Sequence, residues 1–313
     1  MLGNLQIILP VFLLISAGYL ATRQKMFTAE QVDAVMKFAQ GFALPCLLFS
    51  AVAKLDIEAS FQPQLLISFY AGNTTVFILG ALIARFVFKR PAGTSVAVGF
   101  SGMFANTVLL GLPIIERAYG PEALQPVYAI IAMHVPYCYL VGITTMEVAR
   151  AGGQSLGNTL LRIFKEIFRN SLTIGLILGF IVNLTGITLP SFIWSPIQMM
   201  VSAAIPIALF SLGGVLVRYK LADRIGETIV VLVLKLFIHP GIAYFLATQI
   251  FDMSFELTRA AVLAAAMAPG VNVYLFANIY DRAKGTAANA VLLGTITSLF
   301  SVSLWLYIIE VSF

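Results

Sequence analysis

The sequence predicts an all-α polytopic membrane protein: ten transmembrane helices in two inverted five-helix repeats, with broken crossover helices 4 and 9. Three observations carry that expectation. Of 313 residues, 60% are hydrophobic and 11% charged, with a mean hydropathy of +0.95; soluble domains run at roughly 45–50% apolar and 25% charged. Windows of about 20 apolar residues, enough to cross ~30 Å of hydrocarbon, recur along the whole chain. A set of residues also returns in the same order in both halves.

The windows fall at 4–21, 34–53, 63–88, 94–115, 123–147, 170–187, 192–217, 226–250, 257–280 and 286–309. The first has no basic residue ahead of it, and Arg23 and Lys25 follow it, so it reads as a retained helix and not as a cleaved signal. The second and seventh carry Pro45 and Pro206, and the third holds Asn73, Thr74 and Thr75. The fourth is interrupted by Asn106, Gly111 and Pro113, and the ninth by Pro269, Gly270 and Asn272. The fifth contains His134 and Pro136, and the eighth Lys235, His239 and Pro240. Cys46 and Cys138 lie inside apolar stretches, where an inert packed thiol is the usual role.

Orientation follows from the basic residues. Fourteen of the nineteen Lys and Arg lie in the connections after windows 1, 3, 5, 7 and 9 or in the last turn before them, from Arg23 and Lys25 through Arg282 and Lys284. Those connections are expected to be cytoplasmic, with both termini on the non-cytoplasmic side of the cytoplasmic (inner) membrane. The net charge of +5 has this topological origin. No basic run is longer than Lys89-Arg90, which argues against a nucleic-acid partner.

Five windows per half make the halves opposite in orientation. At an offset of 161, the segment from Ala43 to Ser50 lies over that from Ala204 to Ser211 with Ala, Pro, Leu, Phe and Ser in place, and Gly18 lies over Gly179. At 165, Glu116-Arg117-Ala118-Tyr119-Gly120 lies over Asp281-Arg282-Ala283-Lys284-Gly285. The expected organisation is a first five-helix repeat over 1–150, a cytoplasmic connecting loop over 151–169 and a second, inverted repeat over 170–313.

Paired broken helices in matching halves are the mark of a transport site. Proline at 45, 113, 206 and 269 removes a backbone donor and pushes a helix open. Such backbone is tolerated in a membrane only against protein or a water-filled cavity. Two half-helix N-termini meeting there would favour an anion. Asn106 and Asn272 sit beside the breaks, with Thr107, Gly270 and Tyr274 close by, and an amide there either donates to a ligand or repairs a freed carbonyl. Lys235, about nine residues into its window, has no carboxylate evidently placed to neutralise it. It either attracts the substrate's carboxylate, in which case Lys235→Met weakens anion binding more than folding, or it snorkels, is deprotonated or caps carbonyls of a broken helix. His239, His134 and Asn73 are candidate support or proton sites.

The chain resembles the auxin efflux carrier family in its compact bacterial form. The resemblance rests on Ala-Leu-Pro-Cys-Leu-Leu-Phe-Ser, on Asn106-Thr-Val-Leu-Leu-Gly-Leu-Pro113 with Glu116-Arg-Ala-Tyr-Gly120, on the stretch from Lys235 to Pro240, and on Ala268-Pro-Gly-Val-Asn272 with Tyr280-Asp-Arg. It implies two inverted five-helix repeats, helices 4 and 9 crossing at their breaks, and a rocking or elevator motion of a transport domain on a scaffold. It also implies that Asn106 and Asn272 contact a substrate carboxylate. Where plant carriers have an acid feeding a support site from helix 3, this chain has Asn73.

No zinc motif, Walker sequence, nucleophile elbow or metal-spaced Cys/His cluster occurs, so neither an enzyme nor a metal site is expected. The expected function is secondary transport of small organic anions (malonate, other carboxylates or auxin-like acids) by alternating access. No cofactor is expected beyond a sodium ion or proton as coupling ion, and a homodimer stays among the assemblies considered. Alternatives are a sodium-coupled symporter of bile-acid type, which shares the repeat plan, and a receptor or sensor subunit that binds without transport.

Overall fold

The computed structural model describes residues 2–150, 161, 164–165, 167–168, 170–219 and 224–313. The expected 151–169 loop lies largely outside the described residues, as do Arg162, Arg169 and Lys220 of the charge count. All regular elements among the described residues are helical. Apart from one short turn of helix at Ile57–Ser60 and a π-turn at Thr107–Gly111, they are in chain order α1 (Leu2–Arg23), α2 (Ala29–Ala53), α3 (Pro63–Phe86), α4 (Ala92–Met103), α5 (Leu112–Tyr119), α6 (Pro121–Ala149), α7 (Ser171–Thr185), α8 (Ser191–Leu216), α9 (Ile225–Ile250), α10 (Phe255–Ala266), α11 (Val271–Tyr280) and α12 (Lys284–Ser312). Seven of these, α1, α2, α3, α6, α8, α9 and α12, are long and apolar enough to cross a membrane.

Local chemistry sets the ends. Thr28 opens α2 with a reciprocal cap: its hydroxyl accepts from Gln31 N–H at 3.3 Å, and Gln31 Oε1 accepts from Thr28 N–H at 2.9 Å. Asn170 caps α7 through Leu172 N–H, and Ser254 caps α10 through Leu257 N–H.

Three prolines act through a widened turn. The π-turns Ala39–Ala43, Thr107–Gly111 and Leu234–Ile238 each end two residues before a proline, at Pro45, Pro113 and Pro240. A proline ring collides with the carbonyl one turn earlier, and a wider turn gives that carbonyl room. Pro206 needs no such relief and lies within the continuous helix α8.

The first interruption lies upstream of Gly111 and Pro113, and the second runs through Pro269 and Gly270. Helix α4 stops at Met103 and the chain is extended at Phe104; α10 stops at Ala266 and the chain is extended at Met267. These segments pair with each other around an isolated bridge between Ala105 and Pro269. Asn106 N–H donates to Ala268 O at 2.8 Å, and Gly270 N–H donates to Phe104 O at 2.9 Å. Extended backbone in an apolar interior has to find its hydrogen bonds within the protein, and here each break supplies the other.

Around this crossing the chain is buried without interruption over 95–107 and 260–270. Alanine dominates the second stretch, so backbones approach on every side. To one side, α1 packs on α8 and α2 on α7. A Cβ at Gly18 would lie 1.8 Å from Phe210 O, and one at Gly179 would lie 2.9 Å from Phe49 O. To the other side, α3 packs on α4 and on the middle of α9. Asp33 pairs with both terminal guanidinium nitrogens of Arg218, joining α2 to the segment just beyond α8. Glu227, 3% exposed, accepts from Arg90 and from the Thr286 hydroxyl, the latter at 2.8 Å.

Candidate functional site

A cavity opens where the paired breaks turn into helix again. The π-turn Thr107–Gly111 starts after Asn106 and α11 starts after Gly270, so both second half-helices begin at the wall of one cavity. The cavity is lined by Asn106, Thr107, Gly270 and Asn272 from the crossing, His134 from α6, Gln40 from α2 and Thr173 from α7, within apolar walls such as Leu44, Ile131 and Leu176. Among the described residues no Lys, Arg, Asp or Glu lines it.

Three polar atoms there lack a hydrogen-bond partner: Asn106 Nδ2, Thr107 Oγ1 and Thr173 Oγ1. Their residues are 5%, 1% and 6% exposed. A buried polar group without a partner costs about 1–3 kcal/mol, so three around one cavity mark it as the candidate site. Free space at the crossing is about 50 Å³, widening into a vestibule of about 660 Å³ that shares Gln40, Leu172 and Asn272 with it. A single water needs about 10–15 Å³ on this measure, so the inner space exceeds what one water fills and admits a small polar group. Asp33, Lys37 and Asn170 line that vestibule.

The other sequence-predicted residues fall outside the inner cavity. Tyr274 faces the branch of the vestibule bounded by Arg218 and packs on Tyr219 with ring centroids 5.0 Å apart. Gly111 lies behind the site, where a Cβ would come within 3.3 Å of both Met267 and Thr107. Pro113 is the second residue of α5, and Pro269 is within the bridge. The acid-Arg-Ala-x-Gly signatures sit at the outer ends of α5 and α11. There Lys284, 2.7 Å away, holds the Asp281 carboxyl below its ordinary range.

Asn73 and Lys235 support the breaks from behind. Asn73 Nδ2 donates to Met103 O at 2.7 Å, and Lys235 Nζ donates to Ala265 O at 2.9 Å. Each acceptor is a carbonyl at the end of a first half-helix, where helical partners run out. Lys235, 0% exposed, also reaches His239 Nδ1 at 2.9 Å. His239 Nε2 lies 3.0 Å from Phe69 O; a carbonyl only accepts, so Nε2 carries the hydrogen and Nδ1 accepts from Lys235. His134 works the other way, since its Nε2 accepts from Ala105 N–H at 3.0 Å.

Gln40 and Thr173 are the lining residues that sequence reasoning passed over. The available signal is the one that marks Asn73, a polar side chain inside an apolar window.

A family model described as Membrane transport protein matches residues 5–306, nearly the whole chain. This protein belongs to the auxin efflux carrier family. Auxin efflux carrier component 8 of Arabidopsis thaliana is 24% identical over 344 residues, covering 93% of each chain. A protein of Rhizobium meliloti (strain 1021), provisionally named a malonate transporter, is 24% identical over 304 residues, covering 97% of this chain and 95% of its own. An uncharacterized transporter of Escherichia coli (strain K12) is also 24% identical, with 96% of each chain covered. Auxin efflux carrier family members are membrane transporters, not enzymes, and this member is a multi-pass membrane protein.

Proposed function

We propose that the protein is a secondary transporter of small organic anions in the cytoplasmic membrane, binding the substrate carboxylate at the crossing of its two broken helices. One observation carries the reading: three unpartnered polar atoms, on Asn106, Thr107 and Thr173, surround a cavity at which two half-helix N-termini converge. Fixed donors and helix ends favour an anion there without a cation in the wall. Asn272, which lines both cavity and vestibule, orients the carboxylate with Asn106. The family and the relative named for malonate support small acids as substrates; auxin-like acids suit the same head site.

In this reading the chain makes ten crossings as two inverted repeats, 1–150 and 170–313, joined by 151–169. Its support is reciprocity of contacts. Gly18 meets Phe210 as Gly179 meets Phe49, at the single offset of 161. Asn73 holds Met103 O as Lys235 holds Ala265 O, at 162. Asn106 and Gly270 exchange places across the bridge, at 164. The vestibule lies at the end that carries Arg218, on the side to which the excess of basic residues assigns the cytoplasm. The described conformation is therefore inward-facing, and alternating access moves α3–α6 and α9–α12 against α1, α2, α7 and α8.

The test is uptake of labelled malonate and indole acetate into proteoliposomes, with and without sodium or proton gradients. Saturable flux supports the carrier. Binding without flux would point to a receptor, and flux lost without sodium to a bile-acid-type symporter. Asn106→Leu and Asn272→Leu are each expected to weaken binding about tenfold or more with the thermal midpoint nearly unchanged, because a hydrogen bond to a charged group is worth about 1.5–3 kcal/mol. Unchanged affinity in either variant, read by calorimetry, would remove that residue from the site.

A further inference from the structure

The two halves of the crossing differ at one hydrogen bond. Ala105 N–H donates to His134 Nε2 at 3.0 Å. The residue opposite Ala105 in the bridge is Pro269, which has no N–H. Its ring abuts Gly294 of α12, where a Cβ would lie 2.7 Å from Pro269 Cδ. The first half thus carries an imidazole where the second half needs no acceptor and leaves no room for one. Because His134 Nε2 accepts, that nitrogen bears no hydrogen, and the ring hydrogen is on Nδ1, beside Cys138 Sγ at 3.8 Å. His134 is 4% exposed and shares the cavity wall with Asn106, Thr107 and Thr173.

We propose that His134 is a proton-binding site, loaded together with the anion, so that the carrier moves one proton with each carboxylate. The inference rests on the carrier reading above. A proton from vestibule water joins Nε2, and the only bond formed is N–H. Ala105 N–H then loses its acceptor, and two donors face one another at the cavity wall. A carboxylate oxygen fills the gap and accepts from both.

Without the anion, a protonated ring opposes the Ala105 N–H. Without the proton, a carboxylate opposes the Nε2 lone pair. Each ligand therefore raises the affinity for the other by the same factor. A monoanion and a proton enter the crossing as a neutral pair, which spares the cost of carrying a net charge through hydrocarbon.

The neighbours leave the anion as the counter-charge. From α3, Phe69 and Tyr70 face the ring, at centroid distances of 5.6 and 6.4 Å. His239 of α9 packs on the far side of Phe69, with Lys235 bonded to it. Phe104 of the crossing lies at 4.8 Å, and α6 itself adds Cys138 and Tyr137, the latter packed at a tilt on Tyr70. No carboxylate is among these groups, and a charged Lys235 strengthens the dependence of protonation on the anion.

Calorimetric titration of the purified full-length protein with indole acetate, in two buffers of different ionisation enthalpy, counts the protons taken up. From pH 7 to 8.5, where this probe is fully ionised, about one proton per anion is expected, with affinity falling about tenfold per pH unit. His134→Gln keeps an amide oxygen for Ala105 N–H and an amide N–H for the carboxylate. It is expected to bind with less than about a twofold change over that range and no proton uptake. Wild-type binding without proton uptake would overturn the proposal, as would uptake that persists in His134→Gln. Absence of wild-type binding for both indole acetate and malonate would instead overturn the carrier reading, and this proposal with it.

Discussion

Lys235→Met is expected to lower the stability of the folded protein by about 2–4 kcal/mol while changing anion affinity less than about threefold. The ammonium is fully buried and its two partners, Ala265 O and His239 Nδ1, have no water to turn to. Methionine fills the stem and leaves both acceptors bare, at about 1–3 kcal/mol each. His239 remains tied to Phe69 O, so it cannot swing away to recover the loss. The measurement is thermal denaturation in detergent, paired with calorimetric binding of indole acetate. A stable variant that no longer binds the anion would return Lys235 to the role of attracting the carboxylate. Its place behind the break, outside the cavity lining, favours the structural outcome.

Gly213→Ala is expected to cost about 3 kcal/mol or more, although it adds one methyl group to an apolar interface. A Cβ at Gly213 would stand 1.8 Å from Ile15 O and 2.8 Å from Tyr19 N, both backbone atoms of α1. Overpacking against a movable side chain costs about 1–3 kcal/mol, and backbone yields less. In a membrane the contact of α1 with α8 depends on such close approach, since lipid competes with any larger apolar surface. Gly18→Ala, aimed at Phe210 O, should behave alike. Gly41→Ala is the control, with nothing within 4 Å of its Cβ. Heating followed by size-exclusion chromatography reads the difference, and a Gly213→Ala protein as stable as Gly41→Ala would show that the helices can part without loss.

Much of the candidate site was legible from residue type and place. Asn106, Thr107, Gly270, Asn272 and His134 stand out as polar or flexible residues inside apolar windows, and all line one cavity. Gln40 and Thr173 carry the same signal more weakly, because neither adjoins a break. Lys235 shows where such reasoning stops. Composition identifies a cation in hydrocarbon that needs partners, but those partners are a carbonyl 30 residues along and an imidazole one turn along, and a carbonyl is invisible to residue type. The position of the first break was equally hidden. Proline at 113 pointed to a break there, and the chain answers that proline with a π-turn while interrupting its helix at Phe104.

Sequence alone determined the class, because hydrophobic windows of membrane-spanning length depend only on local composition. It also suggested a pairing of the halves, since residues recurring in order need no coordinates to be seen. Only the tertiary structure decided which carbonyls and N–H groups are left over. The hydrogen bonds of the crossing join segments more than 160 residues apart, from Phe104 to Gly270 and from Asn106 to Ala268. Whether a given amide is spent on that repair or remains free for a ligand depends on those long-range partners, and for Asn106 the result is a backbone N–H that is spent and a side-chain Nδ2 that is free.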